Sequence, residues 1–354
     1  MSIARTPSGG VLRLRCRAAL LPVLLPAVVL AAGSPSGAER AALAGRGLLG
    51  TPAPRMVMTT IDGQRIDLGQ LYGRKAVYLK FWATWCVPCR EQMPHLEHTY
   101  HSAGTDLAVI AINAGFNDTL ADVREYRRRL ALTVPIVLDD GQLAAAFNLR
   151  VTPQHIVIGR DGRILYVGHL TDAPLEEALR AARAAPPAIA ATAGRAPAGA
   201  RSSARYGIGD RVSGLAVTTL DGAAFPVSTA GTPTVLAFLS PWCESYLAGS
   251  RPQRAAECRA AREQLQAHAA DGARRWLGVA SGLWASPEDL ASYRDRYGVT
   301  IPLTLDESGR LFREFGVTSV PTLLLIGADG RIVSRLSGAA AGSPQGLRTL
   351  LDGG

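Results

Sequence analysis

Ala76-Val77-Tyr78-Leu79-Lys80-Phe81-Trp82-Ala83-Thr84-Trp85-Cys86-Val87-Pro88-Cys89 runs from a short apolar segment straight into a Cys-x-x-Cys pair. Residues 76–82 are apolar apart from Lys80 and have the length of a buried strand. The stretch 87–102 reads as a helix, so both cysteines stand at its opening turn. Such a turn presents unpaired N–H groups and a positive partial charge, which stabilise a thiolate at Cys86 and lower its pKa. Cys86 is then the attacking sulfur, and Cys89, one turn further in, is placed to resolve the mixed disulfide. Pro88 suits an early helical position because its missing N–H has no intrahelical partner there. A zinc half-site would want a second pair of comparable spacing, and the sequence has none. A purely structural disulfide is the remaining alternative.

Outward from this stretch the first half alternates strand and helix. Strands fall at 107–112 and 136–138, a polar helix at 118–132, two strands on either side of the Asp161-Gly162 turn, and a closing helix at 173–184. Helices alternating with buried strands imply a sheet covered on both faces. The same text then returns: Phe81-Trp82-Ala83-Thr84-Trp85-Cys86 as Phe238-Leu239-Ser240-Pro241-Trp242-Cys243, and Val151-Thr152-Pro153 as Ser319-Val320-Pro321. Pro135-Ile136-Val137-Leu138-Asp139 recurs likewise as Pro302-Leu303-Thr304-Leu305-Asp306. Because the order is kept, a whole domain is duplicated. The expected organisation is a secretory signal at 1–38, a first domain at 51–184, a flexible Ala/Pro/Gly linker at 185–206 and a second domain at 207–354.

The chain has 354 residues, 47% hydrophobic and 19% charged, which suits two globular domains and argues against disorder. Its formal charge of +9 includes Arg5, Arg13, Arg15 and Arg17, which precede an apolar run at 18–32 and the small residues Ser36-Gly37-Ala38. That layout is a signal for export to the periplasm, either cleaved or kept as an anchor, although Pro22 and Pro26 interrupt a run shorter than the ~20 residues of a membrane span. The other arginines are scattered rather than clustered with aromatics, so no nucleic-acid partner is expected. Cleavage would remove Cys16 and leave Cys86, Cys89, Cys243 and Cys258, an even number that fits an oxidising compartment.

The stretch from Phe81 to Pro94 resembles the active-site region of exported thioredoxin-like thiol–disulfide oxidoreductases of the TlpA/ResA type, and the likeness spans residues 54–184. The resemblance implies an α/β fold of two tandem thioredoxin-like α/β/α sandwiches, each with a mixed central sheet. It implies Cys86 and Cys89 as the catalytic pair, and a substrate groove formed by Trp85, Pro88, Thr152 and Pro153, with Pro153 cis. It further implies reduction of disulfides in exported proteins, resupply from a membrane-bound electron donor, and no small-molecule cofactor. Lys80 departs from the pattern. It lies six residues before Cys86, where many thioredoxins carry a buried acid. Either it modulates the pair as a buried amine, or, the reading favoured from sequence, it sits at a strand edge with its ammonium in water.

In the second copy Tyr246 stands where the second cysteine would be, so the same dithiol exchange is closed to it. Cys258 would lie about 22 Å from Cys243 along one straight helix. A break at Gly249-Ser250-Arg251-Pro252, with Ser250 as cap, would bring the two within bonding reach, as a structural staple or a second relay. His95, His98 and His101 share one helix face, which reads as solvated rather than metal-binding. Ser240 supplies part of a peroxidase pattern, but Leu236 replaces the proline it needs. A partner-binding scaffold is the alternative function from another class.

Overall fold

The computed structural model describes residues 34–185, 205–269 and 272–352, with residues 1, 2 and 4. Ala76–Trp82 is buried along its whole length and is the central strand of a five-stranded sheet. Side chains alternate across it with period two. Val77, Leu79 and Phe81 pack with Ile110, Ile112 and Phe147 on one face, while Tyr78 and Trp82 pack with Met93, Leu96 and Leu175 on the other. Each such fully buried aliphatic or aromatic side chain contributes ~1.5–3 kcal/mol.

Leu107–Asn113 pairs parallel with the central strand, and Ile136–Leu138 pairs parallel beyond it. On the other side lie Gln154–Ile158 and then Ile164–Gly168, both antiparallel. The closing helix Ala173–Ala184 starts where the Asp172 side chain accepts from Leu175 N, with a proline in its first turn. The second half repeats the sheet in the same order and directions: Leu303–Asp306, Arg275–Ser281, Thr234–Leu239, Thr322–Ile326 and Ile332–Ser337. Two thioredoxin-like mixed sheets result, and Ser34–Gly354 is one compact unit.

Three features differ from the sequence expectation. The helix over 87–102 is two helices, Val87–Glu91 and Met93–His101. Pro94 lacks an N–H and its ring crowds the carbonyl four residues back, so the first helix closes at Gln92. Gly37–Gly45 forms a helix, capped reciprocally by Ser36 and Glu39, where none was expected. It packs on Ile164–Gly168 and is tied by Asn148 Nδ2 to Ala44 O at 3.1 Å. Ser250 does not cap: it ends the helix Cys243–Ser250, and Pro252–His268 begins after Arg251 with no side-chain cap. The signal-like segment lies outside the described residues except at its ends, as does most of the expected linker. No helix among the described residues is long and apolar enough to cross a membrane.

Candidate active site at Cys86 and Cys89

Cys86 is the N-cap of Val87–Glu91 and is bonded to Cys89. Its Sγ accepts from Cys89 N at 3.2 Å and lies 3.3 Å from Thr152 O. The Thr152–Pro153 peptide bond is cis, and so is Val320–Pro321 in the second half. Pro88 occupies the first turn. The Trp85 indole donates to Phe116 O at 2.7 Å, which holds the loop 114–118 against the cysteines. Gly115 in that loop has φ +64°, and a Cβ there would sit 1.9 Å from Asp139 O, so only glycine fits.

The groove that the resemblance implied is covered. Cys86 is 1% exposed; Trp85, Thr152 and Pro153 are buried, and only Val87, at 37%, reaches solvent freely. The cover is the second half of the chain. Trp242 stacks on Trp85 with ring centres 4.9 Å apart. Val87 N donates to the Tyr246 hydroxyl at 3.1 Å, and the Trp284 indole donates to Thr152 Oγ1 at 3.1 Å. Arg251 pairs with the buried Asp118 at 3.0 Å and donates to Asn117 O and to Thr84. Asp118 also accepts from Thr84 N and Asn113 Nδ2, both at 2.8 Å. Burial pushes its carboxyl up from the ordinary range, against those hydrogen bonds and the arginine.

Lys80 is not at a strand edge with its ammonium in water. It sits in the middle of the central strand, fully buried, and its Nζ has no hydrogen-bond partner. Strand alternation aims it to the helix-covered face shared by Tyr78 and Trp82, and burial pulls its pKa down to about 7. It makes no hydrogen bond to Cys89. Opposite it in register is His155. His155 Nδ1 meets the Tyr78 hydroxyl at 2.8 Å and its Nε2 meets Gln92 Oε1 at 2.9 Å; burial, then the Lys80 charge, holds it well below the ordinary histidine range. Gln92 Nε2 donates to His169 O, and His169 Nδ1 meets Pro153 O at 2.7 Å. A polar chain thus runs from beneath the cysteines to the cis-proline loop. A lone histidine in the apolar run 154–158 was its one signal.

A family model described as Redoxin matches residues 48–181. The thiol-disulfide oxidoreductase ResA of Geobacillus kaustophilus is 32% identical over 173 residues, covering 47% of this chain and 94% of that protein. ResA of Halalkalibacterium halodurans is 36% identical over 132 residues, covering 36% of this chain and 73% of that protein. The chain belongs to the ResA-type thiol–disulfide oxidoreductases. A crystal structure of a thioredoxin-family thiol:disulfide interchange protein from Chlorobium tepidum aligns with 29% identity over 38% of this chain and 96% of that one, with a TM-score of 0.32. The ResA-type relatives named here match one copy of the duplicated domain, since they cover less than half of this chain.

In the second half of this ResA-type chain Cys243 and Cys258 are bonded, their Cα atoms 6.3 Å apart across the break at Arg251. Cys243 has no second thiol three residues on to resolve a mixed disulfide, which supports a staple over an exchanging pair. Cys258→Ser should lower the unfolding free energy by about 3 kcal/mol, the loop-closure contribution of a ring this size. Urea titration would show it as a lower midpoint; an unmoved midpoint would mean that packing alone holds the two helices. His95 pairs with Glu176 at 2.5 Å and His101 with Glu97 at 3.2 Å, so the two histidines are engaged by separate carboxylates. No group of metal-ligating side chains is found among the described residues.

Proposed function

We propose that the chain reduces disulfides of exported proteins in the periplasm by dithiol exchange at Cys86 and Cys89. In the reduced form the Cys86 thiolate attacks a partner disulfide, one partner sulfur leaves as thiolate, and a mixed disulfide forms. Cys89 then attacks Cys86 Sγ, releases the second partner thiol and leaves the Cys86–Cys89 bond seen in the structure. A membrane-bound dithiol donor would restore the reduced pair, with no small-molecule cofactor. The observation that carries this reading is the placement of Cys86 at a helix cap, 3.3 Å from the carbonyl that precedes the cis proline. Trp85, Pro88, Thr152 and Pro153 around it form the groove for the partner's backbone.

The test is capture. Reduced Cys89→Ser protein, mixed with a disulfide-containing protein such as insulin, should accumulate an adduct linked through Cys86, identified by peptide mass mapping. A chain that forms no such adduct is a scaffold and not a reductase.

A further inference from the structure

The two halves meet through matching loops. Asn117 and Trp284 occupy equivalent positions and are two of the four described non-glycine residues with positive φ, at 57° and 59°. Asn117 N donates to Thr318 O at 2.8 Å, and Trp284 N donates to Arg150 O at 2.9 Å. Each half therefore offers a strained loop to the segment just before the other's cis proline. The Asn117 side chain adds a bond from Val320 N at 2.9 Å, and the Trp284 indole adds its bond to Thr152. Phe116 meets Trp242 at 6.1 Å and Phe312 at 5.8 Å, closing the seam with aromatic rings.

We propose that the second half is a built-in occupant of the first half's substrate groove, so that a protein disulfide reaches Cys86 only when the two halves part. This rests on the reductase reading above. Trp284 binds where the backbone of an extended partner would lie, beside Thr152, and Tyr246 takes the Val87 N–H. The halves meet here through hydrogen bonds, ring contacts and the Arg251–Asp118 ion pair, with no disulfide between them among the described residues. A cleft lined by Thr84, Arg90, Tyr126, Arg129 and Ser250 has Cys86 in its wall and offers a small reagent a route that a protein cannot take. The closed form thus separates reagents by size.

Two measurements decide it. In the reduced full-length protein, iodoacetamide should alkylate Cys86 at least about ten times faster, relative to a free thiol control, than a maleimide bearing a long polyethylene glycol chain. Equal relative rates would overturn the proposal. In the Tyr246→Ala/Trp284→Ala chain, insulin turnover should rise about tenfold, as expected when a closed population of that weight is released, while reduction of the Cys86–Cys89 bond by dithiothreitol changes less than about twofold. Insulin turnover equal to or below wild type in a folded variant would overturn it as well. Should neither chain reduce insulin although the small reagent reaches Cys86, the reductase reading fails, and the alkylation ratio still decides whether the groove is covered.

Discussion

A chain carrying Cys86→Ala is expected to lose roughly a thousandfold or more in protein-disulfide reduction, falling to the rate of the added dithiol alone. Exchange requires a sulfur that attacks first, and Cys89 cannot take over. It lies inside the first helical turn, while Cys86 caps the helix and faces the cis-proline loop. The two roles also differ in what their loss leaves behind. Without Cys89 an adduct still forms and then stalls; without Cys86 none forms. Insulin turbidity at a fixed dithiothreitol concentration measures the first effect. A Cys86→Ala chain that retained even a tenth of wild-type rate would place the activity elsewhere.

The second large effect concerns stability. Lys80→Met should raise the unfolding free energy by about 4 kcal/mol at pH 7, since one pKa unit is worth about 1.4 kcal/mol and burial lowers the amine from 10.5 to about 7. Below about pH 7 both states carry the proton and the penalty is constant. Between about 7 and 10.5 the unfolded chain still holds a proton that the native chain has released, so wild-type stability rises with pH across that window. Above it the amine is neutral in both states. The methionine chain should lack this rise. Urea midpoints at pH 7 and pH 10 measure both effects, and a destabilised Lys80→Met chain would mean that the amine has a partner or hydration holding it in place.

The strands and their burial were legible because buried parallel strands leave continuous apolar runs, as at 76–82 and 107–112, and because the duplication let each half check the other; their order in the sheet came only with the structure. The break at Gln92 was hidden by a helical pattern that reads on through Pro94, although the proline was in plain view. Of the site, the spacing marked Cys86 and Cys89. It could not mark Asp118, Gln92 or His169, whose importance lies in partners brought from distant segments: Arg251, His155 and Pro153. Lys80 was misjudged because no rule of alternation tells a central strand from an edge strand; only the pairing on both sides does. Trp242 and Tyr246 looked like remnants of a decayed active site, and nothing in the sequence singled out Trp284. Their use appears only once the two copies are docked.

Because groove and occupant belong to one polypeptide, their meeting is a unimolecular event. Dilution cannot separate them, and the occupant acts at an effective concentration on the order of millimolar. A freely diffusing protein present at micromolar levels must therefore bind the groove about a thousandfold more tightly than Trp284 and its neighbours do merely to share it equally. Selectivity among clients then follows from affinity alone: weak and casual disulfides are turned away by competition, before any sulfur chemistry begins.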